Sequence, residues 1–236
     1  PVVYFFRKND SLLHFVKPVF DRRVFLKTCT NGSSELMTNL SMSLVNALYN
    51  LQLMKIAGEN GVAAYGAVMY VNFIFVATFL GYAIGCAPVI SYHYGAGNHA
   101  ELKNLYKKSM SIILVWGVIL FGAAQLLAPV LYKIFVGYNT GLYAMTLHGF
   151  RVYAIAFLII GINIFGSSFF TALNNGLISA VISFLRTLMF QVIMVLTLPL
   201  WFGINGIWSA ISIAEALTLI MTTTFFVRQK DKYHYL

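Results

Sequence analysis

GVAAYGAVMYVNFIFVATFLGYAIGCAPVI, residues 61–90, contains no acid and no base. A helix needs roughly 20 such residues to cross the hydrocarbon of a bilayer, so the run reads as a membrane span. Working outward, comparable apolar runs occupy about 109–135, 146–173, 177–200 and 205–227, and a polar-striped stretch at 30–54 makes a sixth. Composition agrees. Of 236 residues, 59% are hydrophobic, 16% aromatic and 10% charged, with a mean hydropathy of +0.77. Soluble domains carry about 25% charged residues. The expected fold is therefore all-α: a polytopic membrane protein built as a six-transmembrane-helix bundle. Six spans leave no room for a separate soluble domain.

The charges that remain are distributed unevenly. Arg7, Lys8, Lys17, Arg22, Arg23 and Lys27 precede the first span, Lys103, Lys107 and Lys108 fall between the second and third, and Arg228, Lys230 and Lys232 follow the sixth. Six crossings put these three regions on one side, and the opposite side has Lys55, Lys133 and Arg151. The positive-inside rule then directs both ends of the chain to the cytoplasm, in a multi-pass protein of the cell inner (plasma) membrane. Topology and anionic lipid headgroups account for the net charge of +9, and no nucleic acid is expected as a partner.

The chain opens PVVYFF and then RKND, which reads as the tail of a preceding membrane helix, and nothing in it has the pattern of a secretory signal. Three regions are expected: 1–27, the end of that helix and a cytoplasmic amphipathic linker; 28–227, the six-helix lobe; and 228–236, a cytoplasmic tail. Short connections (MKIAGENG, SYHYGAGNHAELKN, VGYNTG, NNG, FGING) favour antiparallel hairpins. GENGV at 58–62 and GINGI at 203–207 repeat one turn signal, Gly ending one helix and Asn available to cap the next. Gly81 and Gly85 form a small-residue pair that either lets helices approach closely or is a chance spacing in a Gly-rich span. Cys29 and Cys86 are expected as small core residues, since two isolated cysteines make neither a metal cluster nor a disulfide framework.

TNGSSELMTNLSMSLVNALYN, residues 30–50, is the unusual span. Asn31, Glu35, Asn39, Ser43, Asn46 and Asn50 recur every three or four residues and so share one helix face. Unpaired polar groups in hydrocarbon cost several kcal/mol, so this face must line a cavity or meet polar partners. Leu36, Leu40, Leu44, Leu48 and Leu51 cover the other faces. Within it, Glu35 is either a proton or cation site or a counter-ion for a cationic substrate, or else an acid pinned to a neighbouring Arg or amide or close enough to the interface to be hydrated. Glu215, in the last span, is the second intramembrane acid. Arg186 either pairs with an acid or snorkels towards the cytoplasm, and the snorkel is the expectation. Asn72, Asn163 and Gln191 are amides that either face the same cavity or join helices. Tyr65, Tyr70, Tyr82, Tyr92 and Tyr153, with the Phe and Met residues, offer adaptable surface for lipophilic cations, although most must serve packing or the interfacial belt.

Catalytic chemistry has little support. There is no GxSxG, no HExxH and no Walker-type phosphate loop, and His14, His93, His99, His148 and His234 fall in loops or near helix ends. The chain is expected not to be an enzyme and to need no cofactor or metal, although Glu35 could hold Na+ or H+. Without an ATP site, uphill transport would draw on an ion gradient.

Several stretches together resemble the carboxy-terminal lobe of the multidrug and toxic compound extrusion (MATE) family. GYAIGCAPVISYHYGAGN is similar to the end of that lobe's second helix, and FFTALNNGLISAVISFLRTLMFQ to the hairpin joining its fourth and fifth. GINGIWSAISIAE resembles the opening of the final helix and NGSSELMTNLSMSLVNALYN the first. The resemblance implies a twelve-helix antiporter of two six-helix lobes around a V-shaped cleft. It also implies efflux of cationic lipophilic compounds in exchange for H+ or Na+. Its partners would be membrane lipids, cationic small molecules, and either the amino-terminal lobe or a second copy of the chain. In sodium-coupled members an acid in the lobe's first helix, matched by Glu35, works with an aspartate in the fourth. Here the fourth, LHGFRVYAIAFLIIGINIFGSSFF, has no acid, and Asn163 is the nearest polar candidate. That departure suggests the branch of bacterial drug pumps in which the other lobe carries the main coupling acid. A lipid-linked saccharide flippase of similar architecture and a non-transporting structural lobe are the competing readings.

Overall fold

The computed structural model describes residues 20–236, without the side chains of Asn31, Ser34, Glu35 and Met37. The expected helix tail and most of the amphipathic linker, with His14, therefore lie outside the described residues. So do the side chains of two candidate site residues, Asn31 and Glu35. Among the described residues every regular element is helical: α1 (Arg22–Gly95), α2 (His99–Val136), α3 (Thr140–Tyr153), a 3-10 turn (Ala154–Ala156), α4 (Phe157–Ala172), α5 (Gly176–Phe184), a π-helical turn (Leu185–Met189) and α6 (Phe190–Tyr233).

Among the described residues four continuous stretches are long and apolar enough to cross a membrane: Thr38–Gly95, His99–Val136, Thr140–Ala172 and Gly176–Tyr233. Two of them have 58 residues, which as straight helices would extend about 87 Å through a hydrocarbon layer of about 30 Å. They do not run straight. Gly58 (φ 61, ψ −153) and Gly203 (φ 55, ψ −134) break them in a backbone region that residues with a Cβ rarely enter. At the first break the chain doubles back: the Tyr49 and Tyr65 rings stack with centroids 5.0 Å apart, and the Tyr65 hydroxyl donates to Asn46 Oδ1 at 2.9 Å. In a straight helix Asn46 and Tyr65 would stand about 28 Å apart. At the second break Gly206 packs directly on the Leu198 carbonyl. The crossing segments are thus 22–57, 59–95, 99–136, 140–172, 176–202 and 204–233.

The two expected turns at MKIAGENG and FGING are therefore single-residue hinges rather than loops. Asn205 reaches across from the second hinge, its Oδ1 2.8 Å from His148 Nε2. The other connections are short, as expected, and at each an asparagine (Asn98, Asn139, Asn175) accepts a backbone N–H in the first turn of the next helix. Asp21 caps α1, so residues 22–27, expected as linker, are its opening turns.

The segment 140–172 is the hub: 72% of its most apolar window is buried, against 17–22% in the other three stretches. Without a hydrophobic driving force inside lipid, such a centre depends on close contact. Gly161 supplies it, because a Cβ there would collide with Phe79 and Ile113 from two other segments. At Gly81 and Gly85 the chance reading holds among the described residues, with no neighbour within 4 Å of where a Cβ would stand. Cys29 is exposed rather than in the core, and Cys86 is half-buried. The polar face of 22–57 is not the buried one either. Ser41, Val45, Tyr49 and Leu53, four residues apart, form its buried stripe, while Asn39 and Ser43 are exposed.

The expected tail is also folded. Helix α6 continues to Tyr233, His234 turns left-handed (φ 54), and Tyr235 is buried against Phe169 and Tyr106. The Tyr235 hydroxyl donates to the Phe226 carbonyl at 2.9 Å, and Asn175 Nδ2 donates to the Tyr233 hydroxyl at 2.9 Å.

Candidate functional site

Glu215 lies about 18 Å along its helix from the Gly203 hinge, and Arg186 about 15 Å from the start of α5 at Gly176, so both approach mid-membrane depth. They meet there. Arg186 Nε donates to Glu215 Oε1 at 2.9 Å, with 15% of the arginine side chain accessible and 1% of the glutamate. The expected snorkel is thus replaced by an ion pair. A lone charge at this depth would cost several kcal/mol, and pairing with an opposite charge in the next segment lowers that cost.

A third segment completes the node. Asn163, fully buried on α4, donates from Nδ2 to Glu215 Oε2 at 2.7 Å and to the Glu215 backbone carbonyl at 3.0 Å. A carboxylate and a carbonyl only accept, so the amide nitrogen must face them and Oδ1 must face away. That oxygen is buried without a partner, as is Asn72 Oδ1. Buried acceptors with no donor are unusual and mark a place where a proton donor or cation could be held.

Beside this node lies a cavity of about 210 Å³. Glu215, Arg186, Thr187 and Gln191 line one wall, Asn46, Tyr65 and Asn72 another, and Tyr153, Met42 and Met69 contribute apolar and aromatic surface. Backbone irregularity borders it on two sides: Arg186 and Thr187 belong to the π-helical turn, and Tyr153 directly precedes the 3-10 turn. Such departures from α geometry re-aim side chains and recur at functional sites.

Of the candidate residues, Asn72, Gln191 and Glu215 line this cavity and Asn163 holds Glu215 from behind. Asn39 is exposed and is not among the lining residues. Tyr65 and Tyr153 line it, whereas Tyr70 and Tyr92 are exposed and Tyr82 donates to Ser109 Oγ at 3.0 Å. The residue that sequence reasoning undervalued is Arg186. Its signal was present: two rare charges of opposite sign sit deep in consecutive spans. Among the described residues no group of His, Cys, Asp and Glu is arranged to hold a metal ion.

A family model described as MatE matches residues 36–197. No curated protein sequence matches the chain significantly. Solved structures match over almost all of it. A MATE crystal structure in complex with MaL6 has a TM-score of 0.89 at 19% identity, covering 100% of this chain and 54% of that one. The outward-facing conformation of a multidrug resistance MATE family transporter of the MOP superfamily gives 0.86 at 20% identity, covering 98% and 52%. The inward-facing conformation of such a transporter gives 0.80 at 20% identity, covering 98% and 54%. The chain spans about half the length of the structures it matches, and at these identities the likeness is one of fold.

Proposed function

Because the chain belongs to the MatE family, we propose that it forms the carboxy-terminal lobe of a secondary antiporter that exports cationic lipophilic compounds in exchange for H+ or Na+. The amino-terminal six-helix lobe, or a second copy, would supply the facing wall of the cleft. The observation that carries this reading is a carboxylate, Glu215, at mid-membrane depth beside a cavity of amide, aromatic and thioether side chains. A cation is favoured there by the carboxylate, by amide oxygens and by ring faces. A proton and a cation compete for one carboxylate, and competition in a cavity open to one side at a time is what exchange requires. Similarity of this lobe to both outward-facing and inward-facing relatives supports a lobe that rocks largely as a unit.

Glu35, whose helix begins at the same edge of the lobe as α5, remains the second acid of the proposal. Arg22, Arg23 and Lys27 share a groove with Asn174 and Gly176, consistent with a basic cytoplasmic edge at the plasma membrane. A lipid-linked saccharide flippase would want net positive charge for a pyrophosphate, and the one cation lining this cavity is neutralised by Glu215.

The test is efflux of a fluorescent lipophilic cation from drug-sensitive cells expressing the full-length parent, under proton and sodium gradients imposed separately. Export should follow one gradient and fall at least tenfold in Glu215→Gln, with Glu35→Gln measured alongside. Wild-type cells that export no cation under either gradient would overturn the drug-pump reading and bring the flippase forward.

A further inference from the structure

The cavity is built for a cation, yet its carboxylate is already engaged. Glu215 Oε1 accepts from Arg186 and Oε2 from Asn163, so the node is electrically neutral as it stands. An incoming cation therefore meets an ion pair rather than a free charge. Three features indicate that the arginine is held in a way that lets it leave. Its guanidinium meets the carboxylate through Nε at 2.9 Å, without the two-pronged Nη geometry that gives the strongest arginine–carboxylate pairs. Both residues line the cavity, but the Arg186 side chain keeps 15% of its surface accessible and that of Glu215 only 1%. Finally, Arg186 sits within the π-helical turn Leu185–Met189, between two α-helical stretches.

A π-helical turn holds one extra residue per turn. Moving that extra residue by one position turns a side chain by about 100° around the axis and shifts it by about 1.5 Å along it, without unfolding the flanking helix. Arg186 can thus swing away from Glu215 while α5 and α6 keep their packing. The amide oxygen of Asn72, which lines the cavity and lacks a donor among the described residues, would then be free to meet the replacement charge.

We infer that Arg186 is a tethered substitute for the transported cation: it occupies Glu215 when the cavity is empty, and a cationic substrate gains the carboxylate only by displacing it. This rests on the reading of the cavity as a cation site. It adds a specificity-determining residue, because a cation too weak to displace the guanidinium is rejected, and Glu215 is never left as an uncompensated buried charge during the cycle.

The experiment is binding of tetraphenylphosphonium to the purified full-length transporter at one fixed pH and ionic strength. Arg186→Gln should bind it about tenfold or more tighter than wild type, and Arg186→Lys should shift in the same direction by less. Glu215→Gln should bind more weakly, since Arg186 then stands unopposed, and the double variant Arg186→Gln/Glu215→Gln should lose the gain. A purely structural role for the ion pair would lower affinity when Arg186 is removed, so the sign decides. Unchanged or weaker binding in Arg186→Gln, with wild type binding normally, overturns the inference alone; if Arg186→Gln does not fold, the sign in Arg186→Lys decides. Failure of both wild type and the arginine variants to bind overturns the cation-site reading and this inference with it. Binding by Arg186→Gln where wild type shows none supports the inference in its strongest form.

Discussion

The first and last hairpins of the lobe use one turn device and put their polarity to different ends. Residues 22–95 fold back at Gly58 and residues 176–233 at Gly203, each at a single left-handed glycine. The first hairpin has the more polar helix, with Asn39, Ser43, Asn46 and Asn50 along one face, yet of these only Asn46 reaches the cavity. The last has an almost wholly apolar strip around Glu215, and that acid is the most deeply committed polar group of the site. The difference teaches that the number of polar groups on a helix says less than the presence of a partner opposite. A carboxylate becomes central where an arginine and an amide from two other segments converge on it.

Breaking the central pair should have the largest effect. Glu215→Leu leaves Arg186 charged and unpaired, which should cost about 3–5 kcal/mol. Adding Arg186→Met should restore most of it, since two apolar residues can replace a buried pair at little cost. Thermal unfolding of the full-length parent protein in detergent reads both, and equal loss in the single and double variants would show that the pair is not coupled.

The shared hinge comes next. Gly58→Ala and Gly203→Ala should each cost about 1–3 kcal/mol through backbone strain alone, because neither site has an atom within 4 Å of a new Cβ. A silent substitution at one hinge and not the other would mean that the two breaks are not equivalent.

Smaller effects distinguish the ends of the hairpins. The last hairpin is pinned by Tyr235, and Tyr235→Phe should cost about 0.5–1.5 kcal/mol by removing its hydrogen bond to Phe226. Burial lifts the Tyr235 phenol above its ordinary value, with Tyr106 and Tyr233 acting in the same direction. A raised folded value means stability that is complete below about pH 10 and is lost as pH rises towards that value. Wild type should therefore lose more stability than Tyr235→Phe between pH 9 and 11, as followed by the midpoint of unfolding.

Asn46→Ala, on the polar face of the first hairpin, should have the smallest effect, about 0.5–1 kcal/mol, since the Tyr65 hydroxyl that loses its acceptor is only part-buried. A loss as large as that of Glu215→Leu would restore the polar helix to the centre of the site.

Much of this lobe was legible without coordinates. The runs at 61–90 and 109–135 lie within helices, and the short connections before α2, α3 and α5 fall where the sequence has them. What misled was local pattern taken as contact. Gly81 and Gly85 have the spacing of a helix crossing, but Gly161 makes one. The amide ladder of 22–57 reaches the cavity through Asn46, while the helix packs into the bundle through a different stripe, Ser41, Val45, Tyr49 and Leu53. Periodicity specifies which residues share a face and is silent on what that face meets.

The sequence by itself determined the class, the number of apolar runs and the residues that lipid would penalise, because whether a side chain is apolar, polar or charged is fixed by residue type. Only the tertiary structure decided that Arg186, Glu215 and Asn163 stand within hydrogen-bond reach, that π-helical and 3-10 turns border their cavity, and that the tail folds back onto Phe169. Those outcomes depend on the relative rotation and depth of separate helices. Each is the sum of many small packing contacts between residues far apart in the chain, and no local pattern encodes it.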